Sequence, residues 1–491
     1  MYRWSILGGV VLATWLFGPW VPVLALASLA HPRVRDVVRP ARPWRGLGII
    51  AALGLIAAAL VVVIPDGWLP LPPGAGTLMA PSYVGRAALD HPIRGLDLPQ
   101  HPRLSRDGSG WAGPTGDRPQ VRSAWYGLEE CAHLARSSSG SLVGLCDRGS
   151  GSVLRLIDPD SLRSTGSLEL PHPGDRGCGS SFFLDDRDRA MVGTSDRRIL
   201  TVETRKGLRI DSGVDLTDIV PADDCLVALM PTWDRSRRVW FVTQEGRVGI
   251  AGGSRPKILE LGARVTSSFA VDQHAAYVVT VDALYRLSVD GQGRPRIDWV
   301  KPYDRGTTPT VLPGDLVAVT DNTEPRMHLV FLRRSTGEEV CGVPVFEGGQ
   351  SATDNSPVAV GPASVVVENG AGYTGPQSTL FGMTTPGGMA RVDLVNGRCK
   401  VAWTADVDAP SSVPHVSRRT GLVYAITKRS SYAGVSAWYL SAIDVASGRV
   451  MFGVRIGLGL LANADHSAVT LTPDGSAYAA TLGGLVRVKD R

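Results

Sequence analysis

From about residue 125 to its C-terminus this chain repeats itself roughly every 40 to 55 residues. Each unit runs from a polar or small group into a short apolar strand, a turn, a second strand, a third, and in most copies a fourth. Ala276–Thr280, Leu316–Val319 and Leu422–Ile426 are such strands, alternating or wholly apolar, as suits strands covered on one or both faces. A single unit of this size cannot bury its own apolar face, so copies must stack. Four short strands per unit stack radially, as the blades of a β-propeller. Unit starts fall near Cys131, Cys178, Cys225, Ser267, Thr307, Asp354, Ser411 and Asp465, which makes eight blades, or seven if the first and last merge. The last unit, 465–491, holds only about three strands, ending in Leu485-Val486-Arg487-Val488. A closed ring leaves no free edge, so the missing strand is expected from around Val121 to Tyr126.

A turn recurs between third and fourth strands: Ile157-Asp158-Pro159-Asp160, Val392-Asp393-Leu394-Val395-Asn396-Gly397-Arg398, Ile443-Asp444-Val445-Ala446-Ser447-Gly448-Arg449, and more loosely Ser335-Thr336-Gly337-Glu338. Asp caps the turn with its carboxylate and Gly takes the left-handed position. Trp403 and Phe452 come after two of these turns, placed to pack between blades. On these residues the chain resembles the quinoprotein-like, PQQ-repeat β-propellers, whose blades carry a similar Asp–x–x–x–Gly–Lys/Arg–x–x–x–Trp turn. The resemblance spans about residues 125–491 and implies fold more than function.

Ahead of the repeats lie two uncharged apolar stretches, Trp4–Ala30 and Gly46–Ile64. Either is long enough, as a helix, to cross roughly 30 Å of hydrocarbon, so residues 1–64 read as two transmembrane helices, with Pro19 and Pro22 able to kink the first. The loop between them, 31–45, carries Arg33, Arg35, Arg39, Arg42 and Arg45 against Asp36, and after the second stretch no Lys or Arg occurs until Arg86. That bias places the loop in the cytoplasm and both chain ends outside it. The alternative reads residues 1–30 as a cleaved signal, with Ala25, Ala27, Ser28 and Ala30 near the cut. Both readings export the large C-terminal part, a multi-pass membrane protein in the first case. Residues 65–120, rich in Pro and Gly, read as an extended stalk, although Arg86–Leu98 could pack on the domain after it; 121–491 is the propeller.

All six cysteines lie in the exported part. An even count there suggests three disulfides out of fifteen possible pairings. On the blade frame the expected set is Cys131–Cys146, Cys178–Cys225 and Cys341–Cys399, the last joining outer strands of adjacent blades.

Inner strands converge on the mouth of a propeller's central channel, so polar residues at their starts are the candidate ligand-binding positions: Glu130, Asp224, Ser268, Thr308, Asn355 and Ser412, with His415 facing the same opening. Glu368-Asn369 and Asp321-Asn322 end neighbouring strands. Asp354, Asp465, Asp224 and Glu130 could together hold a hard cation such as Ca²⁺, which would polarise a carbonyl or water as in lactonase-type propellers. His466 beside Asp465 is the candidate catalytic base, since imidazole titrates near neutral pH.

Several classes are argued against. Fifty-one basic and 46 acidic residues are too balanced for a nucleic-acid binder. The resemblance to PQQ dehydrogenases implies a disulfide between adjacent cysteines over the quinone, and this chain has no Cys-Cys. There is no Gly-x-Ser-x-Gly elbow and no Walker or dinucleotide fingerprint. The expectation is a membrane-anchored scaffold or binding protein whose partner is an envelope protein, peptide or glycan, as the resemblance to assembly lipoproteins of this class implies. The other expectation is a calcium-assisted hydrolase or lactonase on an envelope carbohydrate or ester.

Overall fold

The computed structural model describes residues 2–38, 48, 51–52, 54–55, 64–96, 109–127, 129–147, 151–171, 181–233, 236–253, 255–303, 306–410 and 412–491. Cys178, Ser411 and most of Gly46–Ile64 lie outside them.

The repeats fold as antiparallel meanders, eight in all, each blade one sheet. Blade 1 runs over Glu130–Glu169, blade 2 over Phe182–Asp215, blade 3 over Leu226–Glu260 and blade 4 over Ala270–Pro302. Blade 5 covers Thr310–Pro344, blade 6 Val358–Ala405, blade 7 His415–Leu458 and blade 8 Thr470–Asp490. The apolar runs picked out from sequence are second strands: Ala276–Val279, Leu316–Thr320 and Leu422–Arg429. They are buried on both faces because each blade is sandwiched between two others.

The core is divided the same way. One apolar cluster fills each gap between neighbouring blades; Cys131, Leu142 and Ile157 of blade 1, for example, pack against Tyr478, Ala480 and Leu485 of blade 8. The ring is therefore closed, and its blade count is eight. The missing outer strand of blade 8 is Pro119–Trp125, which pairs antiparallel with Gly484–Asp490 from Pro119 opposite Asp490 to Trp125 opposite Gly484. Asp490 then accepts hydrogen bonds from the Thr115 and Gly116 backbone, at 2.7 and 3.2 Å.

The recurring turns show why Gly is required. Gly448 has φ +73°, and a Cβ there would lie 2.7 Å from the Trp403 ring. Trp403, on the outer strand of blade 6, lies over that turn of blade 7 and donates its indole N–H to Val445 O at 2.9 Å. Trp299 of blade 4 does the same to blade 5, over Gly337 and onto Arg334 O. The turn and the tryptophan are thus one interblade latch.

Two disulfides of the expected set are present, Cys131–Cys146 and Cys341–Cys399. Cys225 is also disulfide-bonded; its expected partner, Cys178, lies outside the described residues. Cys341–Cys399 joins the outer strands of blades 5 and 6 across 58 residues of chain. Replacing both by Ser should lower unfolding free energy by about 2–4 kcal/mol, read as a lower denaturant midpoint under non-reducing conditions.

The Pro-rich segment departs from the expected free stalk. Tyr83–Gly85 adds a fifth strand to the outer edge of blade 7, pairing with Phe452–Val454, and Leu71 and Ala88 enter the core between blades 7 and 8. Asp66 reaches Arg155 of blade 1. The segment's proline-free stretch Tyr83-Val84-Gly85 keeps its ladder groups, and the Arg86 N–H that follows donates to Met451 O at 2.9 Å.

The first apolar stretch does not form one continuous span. It makes two helices, Tyr2–Phe17 and Trp20–Ser28, broken where Gly18 adopts φ +111° and Pro19 lacks an N–H. A third helix, Pro32–Val38, comes next. Among the described residues no helix is long and apolar enough to cross a membrane.

Candidate functional site: the channel mouth

A four-stranded meander sends two kinds of connection to one face: that from an outer strand to the next inner strand, and that between second and third strands. This mouth face carries Glu130, Asn355, Ser412, Asp465 and His466. It also carries the longest second-to-third connection, residues 369–388 of blade 6. That loop is tied at its neck by Asn369, whose side-chain amide donates to Gln350 O and Gly387 O (2.8 and 3.2 Å) while its oxygen accepts from the Ala352 and Ala371 N–H. It then crosses to blade 8. The Tyr373 hydroxyl donates to Asp465 Oδ1 at 2.7 Å and accepts from Asn463 Nδ2 at 3.1 Å, and the tyrosine ring meets His466 edge-on at 5.5 Å.

Beneath this clasp stands Glu130, at the start of blade 1. Its Oε1 is shut away from solvent with no hydrogen-bond partner. Burial, helped by the neighbouring charges of Asp465 and Asp147, pushes its pKa up to about 8. A second unusual carboxyl lies in blade 6. Glu368 is buried, and its Oε1 accepts from Thr353 Oγ1 (2.6 Å) and Asn355 Nδ2 (2.7 Å), while Oε2 has no partner. Burial raises its pKa to about 7 in spite of those two bonds. His133, on the inner strand of blade 1, touches solvent yet is crowded by protein on most sides, as a residue on a channel wall is, and that crowding holds its pKa below the usual imidazole range.

The other sequence candidates are mostly stitches between blades. Asp224 is turned inward: Oδ2 pairs with Arg247 at 2.7 Å and Oδ1 accepts the Cys225 and Glu245 N–H groups. Thr308 donates to Ser268 O at 2.9 Å, tying blade 5 to blade 4. Ser412 is fully buried, takes the Ile426 N–H on its hydroxyl and gives its carbonyl to Asn355 Nδ2. Asp354 is exposed, and His415 begins the inner strand of blade 7. Asp, Asn, Ser and Thr at strand starts are thus spent on the ring itself.

One expectation is corrected by this geometry. With Asp224 held by Arg247, the carboxylates of Glu130, Asp224, Asp354 and Asp465 do not form a cage; among the described residues no group of three or more His, Cys, Asp or Glu is placed to hold a metal ion. The Asp465–His466 pair is not hydrogen-bonded either, since Nε2 lies 4.0 Å from Oδ1 and Oδ1 is taken by Tyr373. Tyr373 and Asn463 escape a reading of the sequence, because nothing in a blade repeat announces which connection will reach across the mouth.

No protein-family model matches the chain. It is 24% identical over 361 residues to an uncharacterised protein of Archaeoglobus fulgidus, a match covering 63% of this chain and 68% of that one. Among solved structures, the quinohemoprotein alcohol dehydrogenase of Comamonas testosteroni aligns over 79% of this chain and 80% of its own, with 10% identity and a TM-score of 0.51. BamB of Moraxella catarrhalis aligns over 63% and 98%, with 14% identity and a TM-score of 0.38. The likeness is one of fold. Chemistry has to be argued from the mouth alone.

Proposed function

We propose that this chain is a membrane-anchored, extracytoplasmic propeller that binds an envelope protein, peptide or glycan at its channel mouth. The observation that carries the reading is the pairing of Glu130, with its unpartnered Oε1, and Asp465 beneath a loop clasped by Tyr373. Two adjoining carboxyls, one of raised proton affinity and both with spare acceptor capacity, favour a ligand that brings a cation or several hydrogen-bond donors, such as an amine or guanidinium. Support for the anchor comes from the N-terminal helices. Leu7, Val11, Leu24 and Leu26 are 46 to 68% exposed, and helices apolar on every side are unstable in water and stable in lipid. Support for export comes from the arginine-rich segment beside them and from cysteines of which, among the described residues, none is free.

The test is photo-crosslinking in native membranes, with benzoylphenylalanine at Thr374, next to the clasp. The wild-type mouth should give a saturable adduct, and E130Q/D465N should reduce its yield at least about tenfold, as loss of a charge-assisted pair does. Equal adduct from both proteins, or none from either, would overturn the assignment of the mouth.

A further inference from the structure

We propose that the mouth face over blades 6 to 8 lies against the lipid bilayer, so that the ring is held face-on rather than on a free tether; this rests on the anchoring reading above. Three segments that carry no charged residue converge there: 369–388, 430–436 and 74–81, the last against Leu458 and Val435 of blade 7. Their exposed side chains are uncharged, with Thr374, Gln377 and Ser430 among them, and the large ones are apolar. Phe381 is 71% and Met383 53% exposed, Leu78 is 64% exposed, and Tyr432 is wholly free. Two aromatics, two methionines and a leucine gathered on uncharged segments, with the exposed Arg429 at their edge, are the composition of a lipid-facing rim.

The patch is built, not loose. Gly382, between Phe381 and Met383, accepts the Ser431 N–H at 2.9 Å and gives its own to Ser436 Oγ at 3.2 Å, which locks the 369–388 loop to the connection carrying Tyr432. The ammonium of Lys428, itself buried, donates to Met383 O. Phe381 sits at φ +51°, a conformation that costs a bulky residue free energy and is kept where the surroundings require it; here it turns the ring outward.

Continuity with the apolar helices identifies the occupant. The break between them is seated on this patch: a Cβ on Gly434 would meet Pro19 at 3.0 Å, and one on Gly18 would meet Val435 at 2.9 Å. The end of the first helix gives Trp15 O to Gly76 and Thr77 and Leu16 O to Leu78. Trp15, Phe17 and Trp20 are themselves exposed there, the residue types that settle at a membrane interface. A surface that joins helices made for lipid, without a charged residue between them, is covered by the same lipid. The mouth then opens toward the bilayer, and its ligand is one presented at the membrane surface.

The test uses the full chain in phosphatidylethanolamine/phosphatidylglycerol vesicles, with a single added cysteine, F381C or Y432C, labelled with an NBD fluorophore; among the described residues no native cysteine is free to react. A446C, on the recurring turn of blade 7 at the opposite face, is the control. Labels at 381 and 432 should shift to the blue and be quenched by lipids with a shallow doxyl group, while the label at 446 is unaffected. Vesicle flotation without quenching at 381 and 432 overturns the face-on arrangement and leaves the anchor standing. A blue shift without doxyl quenching means that protein, a second copy or another part of this chain, covers the patch, and also overturns it. Failure to float overturns both.

Discussion

Arg155→Ala should cost this propeller about 3–5 kcal/mol of unfolding free energy, one of the largest losses available to a single substitution outside the apolar core. Arg155 is only 3% exposed. Its Nε donates to Glu129 Oε2 at 2.8 Å, one terminal nitrogen reaches Asp66 at 2.6 Å and the other Ser164 Oγ at 3.0 Å, and the guanidinium lies over the Tyr126 ring. Removing it takes away the cation that the buried Glu129 and Asp66 share, and leaves two carboxylates facing each other. Three parts of the chain meet at this one cation: the Pro-rich segment, the connection into blade 1, and blade 1 itself. The double variant E129Q/R155A should recover part of the loss, because the stranded charge is then gone. Chemical denaturation of both variants reads this directly; a loss below about 1 kcal/mol for the single change would mean that water reaches the group and screens it.

The second large effect is on pH dependence. Glu130 and Glu368 have pKa values of about 8 and about 7 in the fold, above the ordinary carboxyl value. The folded chain therefore holds protons that the unfolded chain releases. That contribution to stability is complete below the unfolded pKa and is lost as pH rises through 7 and 8. From the ordinary carboxyl value up to its own folded pKa, about 7 for Glu368 and about 8 for Glu130, each group lowers stability by up to about 1.4 kcal/mol per pH unit. Gln at either position is neutral at every pH, so E130Q and E368Q should each flatten the fall, and the pair should be more stable than wild type at pH 8.5. Melting temperatures from pH 5 to 9 test this; parallel curves for variant and wild type would show that both carboxyls are ionised throughout.

The ring is legible in the sequence because its determinants are local and repeated. Asp at the cap, Gly where a Cβ would strike Trp403, and second strands such as Leu422–Arg429 that are apolar on both faces each report their place without knowledge of distant chain. The closing strand is legible from arithmetic, since a final unit one strand short needs a donor. The site is much less so. Glu130 can be named because it starts an inner strand, but Asp224 starts one as well, and only the position of Arg247 separates a spent carboxylate from an available one. Tyr373 lies 92 residues from Asp465, in a loop with no periodicity, so no spacing rule connects them. The Pro-rich segment misleads for a related reason: its strand Tyr83–Gly85 exists only because blade 7 offers an edge.

The joint between Pro119–Trp125 and Gly484–Asp490 also sets an order of events in the life of the molecule. Its first strand leaves the ribosome hundreds of residues ahead of its second. At ordinary elongation rates the interval is on the order of tens of seconds, and through all of it blade 1 has no neighbour on one side and the early strand has no ladder to join. Folding blade by blade can proceed as the chain emerges, but the circle shuts only after Gly484–Asp490 has joined it. A stalled or C-terminally clipped copy would thus be an open arc with two sticky ends, which makes the integrity of the closing strand a checkpoint for the whole molecule.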